Sequence, residues 1–91
     1  MDAALAAQPS REALFDLANL AKDTFSAGES LRLDASAAEQ VPPAVIQLIL
    51  SIARTARESG AGFTLVTPSA QLVDDFQTFG LFADMMTIAM E

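Results

Sequence analysis

Two short strand-like segments with a long amphipathic helix between them most strongly constrain the fold of this chain. Residues 30–34 alternate polar and apolar side chains, and residues 63–67 are rich in β-branched and aromatic side chains, as is typical of strands. The segment between them predicts a helix that begins near Pro43 and ends at Gly60, with one apolar face formed by Val45, Ile49, Ile52 and Ala56. A strand–helix–strand unit of this kind implies parallel pairing with a right-handed crossover.

The flanking segments extend this pattern in both directions. Residues 10–27 predict an amphipathic helix with an acidic outer stripe, capped by Ser10 and ended by Gly28. Residues 70–79 predict a third helix after a Ser69 cap, and residues 85–90 alternate like an added edge strand. The sequence therefore predicts a single α/β domain over residues 1–91, with about three helices packed on a small, mostly parallel mixed β-sheet.

Composition narrows the function classes. The chain of 91 residues has a net charge of −7, which disfavours binding to nucleic acid or to anionic lipid surfaces. It contains no cysteine and no histidine, so the residues that most often carry catalysis or bind transition metals are missing. The carboxylates fit a solvated face better than a metal site. We expect a protein that is not an enzyme, binds no cofactor and does not insert into membranes, and we expect it in the cytoplasm.

Residues 31–81 resemble the STAS family, named for sulfate transporters and anti-sigma-factor antagonists. The resemblance runs in register through five segments and has no single diagnostic motif: Leu31-Arg32-Leu33-Asp34-Ala35-Ser36, Gln40-Val41, Gln47-Leu48-Ile49-Leu50, Leu65-Val66-Thr67-Pro68-Ser69 and Phe79-Gly80-Leu81. The chain resembles the short, stand-alone bacterial form of the family, with the usual N-terminal strands reduced to residues 1–8. The resemblance implies a STAS-type sandwich and a protein-binding, regulatory role.

In that family the loop before the second helix carries an Asp followed by a Ser or Thr, which a partner kinase phosphorylates to switch binding off. In this chain the corresponding positions are Pro42 and Pro43, followed by Ala44. Proline has no hydroxyl to esterify, so the resemblance implies that the phosphoacceptor is lost at Pro43. Fixing the loop in a binding-competent shape and simply opening a helix both remain explanations of the two prolines.

The partner-binding residues that we predict lie in and after this loop: Ser36, Pro42, Pro43, Ala44, Ile46, Gln47 and Leu50. Ile46 and Leu50 lie one turn apart on a flank of the second helix, outside its main apolar face, where they form either an exposed strip for a partner or a contact with a neighbouring helix. Ser36 is the remaining candidate for phosphorylation near the switch position, although a loop serine that bonds its own backbone is the more ordinary explanation.

Three related functions follow from the resemblance. The one we favour is a module that resembles an anti-sigma-factor antagonist and binds a histidine-kinase-like ATPase domain or another signalling protein, without the usual phospho-switch. The alternatives are an accessory subunit of a lipid-transport ABC system and a chemosensory (chemotaxis) cluster component. The four methionines and the exposed apolar residues leave a homodimer open.

Overall fold

Strands and helices alternate along the chain, as the sequence predicts. In the computed structural model, which describes residues 1–39 and 41–91, the α/β class is confirmed. The elements, in chain order, are β1 (Asp2–Ala4), α1 (Arg11–Ser26), β2 (Leu31–Asp34), α2 (Pro43–Ser59), β3 (Phe63–Val66), α3 (Ala70–Thr78), α4 (Phe82–Met85) and β4 (Ala89–Met90).

The four described strands form one sheet in the order β1-β2-β3-β4. We expected a mostly parallel mixed sheet, and each of the three strand pairs is parallel. Strands that add in chain order through right-handed crossovers place their helices on the same face. The burial of β2 fits this arrangement, since Leu31 and Leu33 are fully buried whereas Arg32 and Asp34 are exposed.

Local chemistry sets the helix ends where the sequence predicts them. The Ser10 hydroxyl accepts a hydrogen bond from the Ala13 N–H at 3.1 Å, and the Ser69 hydroxyl accepts one from the Leu72 N–H at 3.1 Å, so both serines act as N-caps. At the other end of α2, Gly60 has φ 68°, a left-handed conformation that costs glycine little.

The C-terminal segment differs from its prediction. Residues 85–90 were expected to alternate as an edge strand, but only Ala89–Met90 pairs with β3, and the preceding residues form the short helix α4. Met85 is 2% exposed because this helical turn directs it into the core. A continuous strand over these residues is therefore wrong, and the edge strand is shorter than expected.

One apolar core lies between the sheet and the helices. Its fully enclosed side chains come from β2, β3, α2 and α3 and include Leu31, Leu33, Leu65, Val45, Ile46, Ile49, Leu72 and Phe76. Helix α1 packs along α2 and contributes Leu17, Ala21 and Phe25. The core leaves Pro43 and Ala44, at the start of α2, at the surface, and the predicted site lies there.

Candidate functional site

The first turn of α2 presents a rigid, uncharged surface. Pro42 precedes the helix with φ −65° and ψ 158°, and Pro43 occupies its first turn, where the missing N–H costs nothing. Both prolines and Ala44 are exposed. The Val45 N–H donates to the Pro42 carbonyl at 2.9 Å. Because no acidic residue or side-chain cap occupies this turn, its surface is defined by proline rings and a methyl group.

Burial and hydrogen bonds hold the segment that follows β2. Ala35 and Ala38 are 0% and 4% exposed, and the Ala35 N–H donates to the Val66 carbonyl at 3.1 Å. The Ser69 hydroxyl donates to the Ala38 carbonyl at 2.8 Å while it also accepts from Leu72. One serine thus caps α3 and holds the loop, a double role that its assignment as a simple cap missed.

Ser36 lies at the surface directly after β2. Its backbone N–H donates to Asp34 Oδ1 at 2.9 Å, the local turn that its ordinary explanation describes. Hydrogen bonds from the Ser36 hydroxyl and backbone N–H lower the pKa of the Asp34 carboxyl. A phosphate on Ser36 would replace that hydroxyl donor with negative charge beside a carboxylate.

Of the two explanations offered for the α2 flank, an exposed strip is wrong at Ile46. Ile46 is 1% exposed and belongs to the core, and Leu50 is partly buried and packed against that core. The physical reason is the position of α2: α1 packs along one side, and the chain at the end of α3 closes on the other. Of the two explanations offered by the sequence, packing against a neighbouring element is the one that the structure supports.

A shallow depression lies beside the first turn of α2, where that turn meets the end of α3. It measures about 310 Å³ and is lined by Pro43, Ile46, Gln47, Phe79 and Leu81. Phe79 is 43% exposed, and Phe82, three residues later in the chain, is 39% exposed, so this side of the site is apolar and aromatic. Three of the predicted residues, Pro43, Ile46 and Gln47, are brought together here.

A second and larger depression lies on the opposite side of the same turn, between α1 and α2. It measures about 420 Å³ and is lined by Arg11, Leu14, Phe15, Ala18, Ala44, Gln47, Leu48 and Ser51. Phe15 is 61% exposed at its rim. Ala44 and Gln47 were predicted, whereas the α1 residues were missed, although Phe15 fits neither the apolar nor the acidic stripe of α1 and could have signalled them. Ser36 and Leu50 line neither depression.

The uncovered face of the sheet has a different character. Arg32 Nε donates to Glu91 Oε2 at 3.0 Å, and Arg32 Nη1 lies 3.7 Å from Asp2 Oδ1. These ion pairs join β1, β2 and the C-terminal residue across the open face. Pairing with Glu91 and then with Asp2 raises the pKa of Arg32. The arrangement is that of a solvated, charge-paired surface.

Among residues 1–39 and 41–91, no group of three acidic side chains is placed to hold a metal ion. Within that same part of the chain, no helix is both long enough and apolar enough to cross a membrane. Comparison with known proteins returns no match to a family model, to a curated protein or to a solved structure.

Proposed function

We propose that this protein is a regulatory protein-binding module of the STAS type, resembling an anti-sigma-factor antagonist. It acts without catalysis and without a cofactor, in the cytoplasm of a bacterium. Its partner is a kinase-like ATPase domain or another signalling protein. The partner contacts the first turn of α2, and the loss of a phosphoacceptor at Pro43 makes binding constitutive with respect to that switch.

The observation that carries the proposal is the rigid, uncharged first turn of α2 with an apolar depression on each side. In a chain of net charge −7, a surface that lacks carboxylates and exposes several apolar side chains is typical of interaction sites. The burial of Ala35 and the Ser69 hydrogen bond to Ala38 hold the segment that follows β2. The proline rings fix φ at the start of α2. Both effects lower the ordering cost of binding.

The test is affinity capture from a lysate of the native bacterium, with captured proteins identified by mass spectrometry. Wild type is compared with Ala44→Glu, which places a charge in the exposed first turn of α2. The matched control is Ala13→Glu, an exposed alanine in the first turn of α1, where glutamate completes a capping box with Ser10. Near a helix N-terminus a carboxylate is tolerated or favourable, so both variants should stay folded.

We expect wild type and Ala13→Glu to capture a kinase-like regulator and Ala44→Glu to lose it. Pro43→Ser should retain the regulator, and Pro43→Asp, which mimics a charged switch residue, should lose it. Equal capture by wild type and Ala44→Glu would overturn the proposed site. Capture of transporter components alone would overturn the regulatory function in favour of an accessory subunit.

A further inference from the structure

The groove between α1 and α2 extends beyond the first turn of α2. The 420 Å³ depression continues into a smaller one of about 190 Å³, with which it shares Ala18, Leu48 and Ser51. This smaller depression is also lined by Lys22 of α1 and Thr55 of α2. The two depressions therefore form one groove that follows the helix pair from Arg11 to Lys22, a span of roughly 16 Å at 1.5 Å per residue.

The side chains that line this groove include two rows with the same spacing, one on each helix. The α1 row is Arg11, Phe15, Ala18 and Lys22, and the α2 row is Ala44, Leu48, Ser51 and Thr55. Both rows follow the same spacing of four, three and four residues, which keeps side chains on one line along a helix. Arg11 and Ala44 lie in the larger depression and Lys22 and Thr55 in the smaller one, so the two rows run in the same direction along the groove.

Both rows contain small side chains as well as larger ones. Ala18, Ala44 and Ser51 project little from their helices, whereas Phe15 and Leu48 provide apolar contact area. Two rows with this spacing that run side by side form a surface that a third helix meets when its knobs enter the holes of a helix pair. The shape of the groove therefore fits a helix of about three turns, because its length is that of eleven helical residues.

The charge of the groove defines the chemistry of its occupant. The chain has twelve acidic and five basic residues, yet among the described residues that line the groove two are basic and none is acidic. Arg11 and Lys22 mark its two ends, both on the α1 side, and both are exposed. An occupant with carboxylates near its two ends would therefore be attracted over both of these cations.

A second copy of this chain fits the groove poorly. If two α1 rows paired antiparallel about a two-fold axis centred between Phe15 and Ala18, Arg11 of one copy would oppose Lys22 of the other. If they paired parallel, each cation would oppose itself. Like charges oppose in both symmetric arrangements, which is unfavourable.

We infer that the α1–α2 groove binds an acidic amphipathic helix of the partner protein. This inference rests on the proposed function and names the chemistry of its partner. On that helix, carboxylates at positions i and i+11 meet Arg11 and Lys22, and apolar side chains at i+4 and i+7 pack beside Phe15 and Ala18.

The test uses a synthetic, end-capped, alanine-rich peptide about four helical turns long, with glutamate at i and i+11 and leucine at i+4 and i+7. A second peptide carries lysine in place of both glutamates. Each is titrated into the full ¹⁵N-labelled chain, and amide shift changes locate the binding. We expect changes along the two rows and a dissociation constant roughly tenfold or more higher for the lysine peptide, as two exposed ion pairs allow.

The double variant Arg11→Glu/Lys22→Glu should reverse the preference between the peptides. The control Arg54→Glu/Arg57→Glu has the same net charge at exposed positions of α2 and should keep the wild-type preference. The inference is overturned if the glutamate peptide does not bind, if the two peptides bind equally, or if the shifts lie elsewhere. It is also overturned if the free chain forms a dimer that the double variant at Arg11 and Lys22 dissociates.

Capture from the lysate separates the two proposals. If Ala44→Glu loses the regulator and Arg11→Glu/Lys22→Glu keeps it, the groove inference is wrong while the proposed function stands. If both variants lose it and Arg54→Glu/Arg57→Glu keeps it, both proposals are supported. If neither of the first two variants loses it, both are wrong.

Discussion

The double hydrogen bonding of Ser69 predicts that this residue contributes more to stability than an ordinary helix cap. Its hydroxyl accepts from the Leu72 N–H at 3.1 Å and donates to the Ala38 carbonyl at 2.8 Å. Ser10 offers an internal comparison, because it caps α1 at the same 3.1 Å and its environment is exposed. The two substitutions to alanine remove the same kind of cap, but only Ser69→Ala also leaves the carbonyl of the buried Ala38 without its donor.

The magnitudes follow from these contacts. Loss of a serine cap costs about 1 kcal/mol of the free energy of unfolding, which is the expected effect of Ser10→Ala. Ser69→Ala should cost about 2–3 kcal/mol, because a hydrogen bond to a part-buried carbonyl contributes roughly another 1–1.5 kcal/mol. A chain of this length has a total stability of roughly 5–13 kcal/mol, so both variants should fold.

The assay is urea unfolding followed by far-UV circular dichroism, since the chain has neither Trp nor Tyr for fluorescence. Thermal midpoints give a second reading, because 1 kcal/mol corresponds to about 4–8 °C for a domain of this size. If Ser69→Ala costs no more than Ser10→Ala, the bond to Ala38 does not stabilise the segment that follows β2, and the double role assigned to Ser69 is refuted.

Two further predictions concern the site itself. Ile46→Glu should unfold the domain, because it places a carboxylate at a position that is 1% exposed and a buried unpaired charge costs several kcal/mol. Gln47→Glu, one residue later and exposed, is the control. A circular dichroism spectrum that shows Ile46→Glu to be folded would contradict the burial of this position. The lowered pKa of Asp34 means that its ionised form stabilises the native state above the unfolded-state pKa of about 3.9, an advantage lost as the pH falls through the lower folded value. Asp34→Asn should therefore reduce stability more at pH 6 than at pH 2, and Ser36→Ala should move the Asp34 pKa, followed by NMR, back toward its ordinary value; an unchanged pKa in Ser36→Ala would show that the hydroxyl has no part in the shift.

The helix and strand positions were predictable because local chemistry decides them. Ser10, Pro43 and Ser69 begin helices through groups within one turn, and Gly28 and Gly60 end them in left-handed conformations. The C-terminal segment lacks such signals, and its alternation suggested a continuous strand. Short turns there depend on contacts with the rest of the fold: Met85 and Ile88 are 2% and 6% exposed and belong to the core. A periodicity argument has no access to such a contact.

The site was only partly predictable, because its shape depends on which helices lie beside α2. The sequence correctly indicates an exposed turn at Pro42 and Pro43, since a proline at the start of a helix belongs to that turn wherever the helix packs. The burial of Ile46 depends on the strand order, since strands added in chain order place α2 in one layer with its neighbours on both sides. The groove needs more information still, because both rows are visible in the sequence but the packing that places α1 beside α2 is not.

The elements on both sides of α2 limit how a partner can bind at the first turn of this helix. Because α1 and the end of α3 cover both flanks of α2, Ile46 lies in the core and Leu50 is packed against it. Among the described residues of this turn and its approach, Pro42, Pro43, Ala44 and Gln47 are accessible, and Gln47 lines both depressions. A partner that extends along α2 from this turn follows the α1 side, where Arg11 and Phe15 lie, or the α3 side, where Phe79 lies. Arg11 and Lys22 line the α1 side, whereas none of the described residues that line the α3 side is charged, so a partner helix with carboxylates is directed to the α1 side.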